Sequence, residues 1–431
     1  MRCPTLDLLV HGKVLERYSV VAWQSPIMTA VRTVIWRYYV YRATLSNGFY
    51  LPVGILYLQH QGFGLDVIGL TQGVFGFALV AAEIPTGYVG DRLGRRTSLA
   101  TSSAITTVVM VAYVVVDSPL AYVGLYVLWA VGWSFESGTG DAWLYELLRA
   151  ELDESEYARV KGRGTTVSLL TSAVSAILAG LLVPIGWALP FLAGAALSVV
   201  GIPVLSTLPS VADDADGDDG FTVVEAVRTL RLQVERTEIR WLVVYTALFY
   251  GLFDVMRAFE QPAADAVGVP VTGLGVLYAA LKLVSAGAAS TVGWFDEHVG
   301  VAGVFAALVP LVGGAYLAIA VVPVAVVPVI FLTRGIRSVT LPLRNQYLND
   351  RMTDVGRATV LSGVSMVLSL AGGTANVVAG EVAARVGLLT FLAVVGVGVA
   401  ATAGLVWVTT TPIRPGTGVE RAEGGREATS D

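Results

Sequence analysis

Gly87-Tyr88-Val89-Gly90-Asp91-Arg92-Leu93-Gly94-Arg95-Arg96-Thr97-Ser98-Leu99 is the stretch that decides how this chain folds. It follows Glu83-Ile84-Pro85-Thr86 and lies between two long apolar segments. Gly87 and Gly94 remove side chains where backbones must approach, as a tight turn between packed helices requires. Asp91 stands just before the second apolar segment, where unpaired amides and the helix dipole favour a carboxylate. Arg92, Arg95 and Arg96 can face water, anionic headgroups or acceptors elsewhere in the fold. A plain basic loop would account for the arginines, but it has no need of this glycine and aspartate spacing.

Apolar stretches of about twenty residues, each long enough to cross a bilayer as a helix, recur from about residue 38 to residue 409. The composition agrees: 55% of the 431 residues are hydrophobic, 14% are charged and the mean hydropathy is +0.69. A soluble protein of this length carries roughly a quarter charged residues. The chain is therefore expected to be an all-α polytopic membrane protein. Its spans fall at 38–58, 66–90, 97–117, 119–148, 164–185 and 187–208, then at 240–262, 271–295, 300–321, 323–348, 358–384 and 387–409. That makes twelve transmembrane helices in two six-helix bundles, 38–208 and 240–409.

Residues 1–37 form an N-terminal leader, and its first 27 residues show no signal-peptide core. Translation beginning at Met28 would leave a short basic leader with Arg32 and Arg37. Residues 209–239 form a linker that opens with an acidic run, Asp213 to Asp219. Within it, Val224, Val227, Leu230 and Val234 lie along one face of an amphipathic helix, expected at the membrane surface. Residues 410–431 form a polar tail. Basic residues gather before the first span, in the 2–3 loop, in the 4–5 loop (Arg149, Arg159, Lys161, Arg163), in the linker, around the 10–11 loop and in the tail. The alternate loops hold only Arg385. By the positive-inside rule both termini are cytoplasmic, which an even number of crossings satisfies.

The net charge of −5, with no basic face, gives no footing for nucleic acid. The single cysteine, Cys3, excludes an intramolecular disulfide and a cysteine-based metal site. Neither a cofactor nor a metal is expected. There is no Walker-type G-x-x-x-x-G-K-[ST], no nucleophile elbow and no H-E-x-x-H, and the three histidines (His11, His60, His298) fall in the leader or near loops. A membrane enzyme and an ATP-driven pump are both disfavoured on these grounds. A non-transporting sensor on the same architecture would be told apart by the absence of uphill flux.

The stretch from Glu83 to Leu99, between predicted spans two and three, resembles the signature loop of major facilitator superfamily transporters, roughly G-x-x-x-D-R-x-G-R-R/K. In that family the loop works as a cytoplasmic gate. The resemblance assigns gate roles to Gly87, Gly90, Asp91, Arg92, Gly94, Arg95 and Arg96, with Glu83 associated. The halves also echo each other, as in a duplicated transporter. Gly293-Trp294-Phe295-Asp296-Glu297-His298-Val299-Gly300 follows span eight as the signature loop follows span two, without its arginines. Gly162-Arg163-Gly164-Thr165 entering span five echoes Gly356-Arg357-Ala358-Thr359 entering span eleven.

Ionisable side chains deep in a span are costly and face a cavity or a partner. Span four holds Trp133-Ser134-Phe135-Glu136-Ser137-Gly138-Thr139-Gly140-Asp141-Ala142-Trp143-Leu144-Tyr145. Glu136 is close to mid-membrane and Asp141 lies further toward the cytoplasm; Ser137 and Asp141, at i and i+4, share a face, whereas Glu136 is rotated away from Asp141. This segment looks like the S-F-x-S-G-T…A-W-L-Y pattern of a drug and metabolite exporter branch, but lacks the arginine many members carry there. Asp254 and Arg257, at i and i+3 in span seven, can pair on one face; structural charge compensation accounts for them as well as function does. Lys282, Arg334 and Arg337 add positive charge near mid-membrane, and Asn47 and Tyr50 in span one are further cavity candidates. Tyr38, Tyr39, Tyr41 and Phe49 fit a lipid-facing helix equally well. Gly180, Pro184 and Gly186 are read as helix packing with a bend.

A carboxylate that carries a proton must change ionisation during the cycle; burial and a neighbouring cation push it in opposite directions. Glu136, Asp141 and Asp254 are the proton-coupling candidates, with Arg257 as the modulating cation. The resemblance implies a secondary transporter working by alternating access, acting as a monomer on a small molecule and driven by protons. Efflux of a drug-like molecule or metabolite is the first expectation. Proton- or sodium-coupled uptake of a polar or anionic solute is the alternative.

Overall fold

The computed structural model describes residues 26–137, 139–151, 156–209, 237–351 and 357–413, and every regular element among them is helical. The leader to residue 25, the amphipathic segment of the linker and the tail from residue 414 lie outside the described residues. The first half contains α1 (Pro26–Thr44), α2 (Gly54–His60), α3 (Leu65–Leu93), α4 (Arg95–Tyr113), α5 (Pro119–Glu136), α6 (Thr139–Glu151), α7 (Tyr157–Leu182) and α8 (Leu189–Ser206). The second contains α9 (Thr237–Ala266), α10 (Val271–Ser290), α11 (Val292–His298), α12 (Gly300–Val321), α13 (Val326–Asn349), α14 (Arg357–Val386) and α15 (Leu388–Thr410). These fifteen helices make twelve spans, because spans one, four and eight are each built from two pieces.

Two of those breaks correct the continuous helices expected from hydropathy. Span one stops at Thr44 and resumes at Gly54, with turns between. Within the break, Gly48 lies against span five so closely that a Cβ would stand 2.0 Å from the Ser172 carbonyl oxygen. Span four breaks at Ser137, whose backbone is extended (φ −63°, ψ 123°). Ser137 and Asp141 therefore do not share one helical face. Ser137 is followed in sequence by glycines at 138 and 140, residues that weaken helix propagation.

Nine described helices are long and apolar enough to cross a membrane, and they serve spans two and five to twelve. Spans one, three and four fall short. Spans one and four are broken, and span three carries Ser98, Thr101, Ser102, Ser103, Thr106 and Thr107. Their hydroxyls lower the hydropathy and face inward rather than to lipid at Ser98, Ser102 and Ser103, all buried.

The halves meet through small residues, as helices in lipid do when van der Waals packing drives association. On α3 and α14, a Cβ at Gly69 would fall 2.6 Å from the Gly380 Cα, and one at Gly73 would fall 2.7 Å from the Gly373 oxygen. On α7 and α10, a Cβ at Gly275 would fall 2.1 Å from the Ala176 oxygen. The Gln261 side chain, on α9, takes the Ile55 N–H at 3.0 Å and gives its amide to the Leu51 oxygen at 2.6 Å. All these positions lie in the helix halves remote from the basic 2–3 and 10–11 loops. The interior is therefore closed at the end opposite the basic loops.

The turn into α4 needs its glycine. Gly94 has φ +80°, and Gly300, opening α12 in the second half, has φ +70°. Each turn is tied to its own bundle. Arg95 pairs with Glu146 of α6 at 2.6 Å, and Asp296 accepts from the Gln346 amide of α13 at 2.8 Å. The second half thus keeps the geometry of the first turn with a different polar pair.

Candidate functional site

Midway along the helices the two halves enclose a cavity of about 340 Å³. Its two walls differ in chemistry. The first half contributes rings: Tyr50, Phe75, Tyr113, Tyr126, Trp129 and Trp133. They pack edge-on, with Tyr50 and Trp129 centroids 5.4 Å apart and Phe75 and Trp129 5.8 Å apart. Edge-to-face rings of this kind form a rigid apolar surface with its own packing energy. The second half contributes charge: Asp254, Arg257 and Glu260 from α9, and Arg334 and Arg337 from α13.

The charged wall is a linked set. Asp254 Oδ1 accepts from Arg257 Nε at 3.0 Å and stands 3.5 Å from Arg337 Nη1. Asp254 Oδ2 accepts from the Asn376 amide of α14 at 2.8 Å. Arg337 also lies over the Tyr250 ring at 4.7 Å and donates to its hydroxyl at 3.3 Å. Arg334 Nη2 holds both carboxylate oxygens of Glu260, at 2.7 and 2.9 Å. Three guanidinium groups thus face two carboxylates, and the wall keeps one surplus positive charge. On the opposite wall Gln72 donates to the Tyr126 hydroxyl at 3.4 Å.

Of the residues singled out from sequence, Tyr50, Asp254, Arg257, Arg334 and Arg337 line this cavity. Lys282 is not among the lining residues; its ammonium lies 5.3 Å from the Tyr278 ring, which does line it. Asn47 is turned toward α7, where its side-chain oxygen accepts from Ser172 at 2.8 Å. Glu136 lines a separate chamber within the first half, 3.7 Å from Arg42. Asp141 forms an exposed ion pair with Lys161 at 2.7 Å, near the basic end and away from the cavity. At the 2–3 turn, Arg92 covers the Tyr88 ring at 4.5 Å, and Arg96 donates to the Leu208 carbonyl at 2.9 Å. A Cβ at Gly90 would meet Ser98 Oγ at 3.2 Å. A Cβ at Gly87 would have nothing within 4 Å among the described residues, so they do not make the close approach expected there. Glu83, one turn before Gly87 on α3, is exposed. The side chain of Asp91 lies outside the described set.

Sequence reasoning missed Glu260, Gln261 and Asn376. For the first two a signal was present: Asp254, Arg257, Glu260 and Gln261 stand at i, i+3, i+6 and i+7, one stripe of a helix. Asn376 gave none, because a single amide in a small-residue helix has no pattern around it.

Residues 43–365 match the sequence profile of the Major Facilitator Superfamily. The chain belongs to this family. Among curated relatives, the MFS-type transporter YxaM of Bacillus subtilis (strain 168) is 22% identical over 242 residues, 54% of this chain and 59% of YxaM. YdeG of the same organism is 30% identical over 154 residues, 35% of each chain. These matches span less than two thirds of either relative. Among solved structures, the nucleoside transporter NupG superposes with a TM-score of 0.70 at 13% identity, over 90% of this chain and 100% of NupG. A bacterial homologue of the human lysosomal transporter Spinster, inward-facing and occupied, gives 0.69 at 14% identity, over 90% and 97%. At such identities the likeness is one of fold. The MFS member described here is thus a multi-pass membrane protein of the twelve-helix transporter fold, with its cavity where the two bundles meet.

Proposed function

We propose that this MFS protein is a proton-coupled secondary transporter that exports a small amphipathic molecule bearing an aromatic ring and an anionic group. The observation that carries the reading is the division of the cavity: an aromatic wall on one half, and a charged wall with one surplus guanidinium on the other. A ring seats against Tyr50, Trp129 and Trp133, and an anion is drawn to Arg334 and Arg337, where a planar fork suits a carboxylate. Both groups are gripped only while the halves stay together around the solute, as alternating access requires.

Asp254 is the proton carrier in this scheme. Its carboxylate is held by two arginines and one amide at the cavity wall, so rocking of the halves, which opens that wall to water or closes it against the aromatic wall, changes its environment. Arg257 moves with Asp254 and modulates it. Glu136, facing Arg42 in the first half, is the second candidate. The chain acts as a monomer in the plasma membrane with both termini in the cytoplasm, which places the sealed end outside. The exporter-like S-F-x-S-G-T segment supports the outward direction. The arginine surplus also fits uptake of an anionic solute.

The test is flux in proteoliposomes under an imposed proton gradient, with dyes, cationic drugs and aromatic carboxylates as the panel. Uphill movement of an aromatic carboxylate against the proton flow, abolished by an uncoupler, is expected. Movement with the protons would replace export by uptake, and gradient-independent equilibration would overturn proton coupling.

A further inference from the structure

The first half contains a second chamber of about 160 Å³, bounded by spans one, three, four, five and six. It shares Tyr50, Trp129 and Trp133 with the central cavity, so the two spaces lie on either side of one aromatic partition. Apart from Leu45 its remaining lining is polar: Arg42 and Glu136, with hydroxyls that include Ser103 and Thr106. Four polar atoms here are under-satisfied. Arg42 Nε and Ser103 Oγ are buried without a hydrogen-bond partner among the described residues. Arg42 and Glu136 stand 3.7 Å apart, beyond hydrogen-bonding distance, and among the described residues no other ion pair holds either. Buried polar groups in such a state call for a partner from outside the chain.

The fold alone does not create this space. Among the described residues of the second half, the space between spans seven, nine and ten is only about 40 Å³, narrowed by Phe249, Phe253, Phe305 and Leu308 beside Arg337, Thr340 and Arg344. The chamber is therefore particular to the first half. It also explains why spans one, three and four are the spans too polar or too broken to be recognised as membrane-crossing.

We infer that this chamber is a subsite for a neutral, hydroxyl-rich group, such as a glycosyl ring, carried by the same solute whose aromatic part occupies the central cavity. The inference rests on the aromatic wall proposed above but not on its anionic preference. One cation and one anion cancel, so the chamber favours no net charge. A guanidinium donates, a carboxylate accepts and the hydroxyls do both, which matches vicinal hydroxyls on a ring. Trp129 and Trp133 in the partition supply aromatic surface for the apolar side of such a ring.

The test is binding of two probes, phenyl β-D-glucoside and benzoate, to the purified full chain, read by quenching of tryptophan fluorescence. The wild type is expected to bind both. Ser103→Ala with Thr106→Val should weaken the glucoside about tenfold, the effect of one or two lost hydrogen bonds, and leave benzoate unchanged. Arg42→Gln should do the same. The Ser103 backbone oxygen still accepts from Ser198 after substitution, and benzoate binding in each variant reports an intact central cavity. Benzoate binding without glucoside binding, or glucoside binding that the variants leave intact, overturns the chamber assignment alone. Glucoside binding without benzoate binding overturns the anionic reading and keeps the chamber. Binding of neither overturns both.

Discussion

Arg334 of α13 grips Glu260 of α9 through a single nitrogen that reaches both carboxylate oxygens, at 2.7 and 2.9 Å. The two residues come from different spans, 74 positions apart, and both line the central cavity. The pair fastens spans seven and ten in the wall while leaving the other Arg334 nitrogens available to a bound anion.

Glu260→Gln removes one partner of a largely buried pair and leaves a guanidinium uncompensated. Breaking such a pair costs several kcal/mol when it is fully dry, and about 2 kcal/mol is expected here because Arg334 keeps some access to the cavity. Thermal unfolding in detergent should show the loss. Glu260→Gln with Arg334→Gln should be less destabilised than Glu260→Gln alone, and equal losses would show that the two do not interact.

Asp254→Asn keeps the shape of the carboxylate but cannot change charge. In proteoliposomes it should retain solute exchange and lose uphill, proton-driven transport. Full uphill transport at normal expression would exclude Asp254 as the proton carrier.

Gly275→Ala places a Cβ 2.1 Å from the Ala176 oxygen, a backbone atom that cannot swing aside. The seal between α7 and α10 should open, shifting the population away from this conformation. In a Cys3→Ser background, a maleimide that cannot cross the membrane should label Leu79→Cys, in the cavity wall, faster from the sealed end once Gly275→Ala is added. Unchanged labelling would show that this contact does not hold the end closed.

Gly94→Ala forces a side chain onto backbone at φ +80°, ψ 147°, a region used almost entirely by glycine. A loss of about 1–3 kcal/mol is expected, seen as lower folded yield and an earlier thermal transition. Gly87→Ala, with nothing within 4 Å, should leave stability unchanged and act only if it slows the transport cycle.

Much of the architecture was legible in the chain. The 2–3 loop with Gly90, Asp91 and Gly94 pointed to the family, and the apolar segments set the number of spans. Asp254 with Arg257 was visible because i and i+3 fall together on any helix. Glu260 lies on the same stripe, one turn further on. Spacing puts Ser137 and Asp141 on one face only of a continuous span four; the break at Ser137 undoes that, leaving Glu136 at an inner chamber and Asp141 bound to Lys161 at the surface.

The sequence by itself determined what depends on local spacing and bulk hydropathy: a polytopic all-α chain, two sets of six spans, and a glycine where the backbone takes a positive φ. Only the tertiary structure decided which helix faces converge. Arg334 and Arg337 become part of one charged wall with Asp254 and Glu260 because α9 and α13 pack side by side, whereas Lys282 and Asn47, equally polar and equally deep, turn to other neighbours. The reason is geometric. A helix repeats its faces every 3.6 residues, so sequence tells which residues share a face, but the direction of that face is set by packing against helices hundreds of residues away.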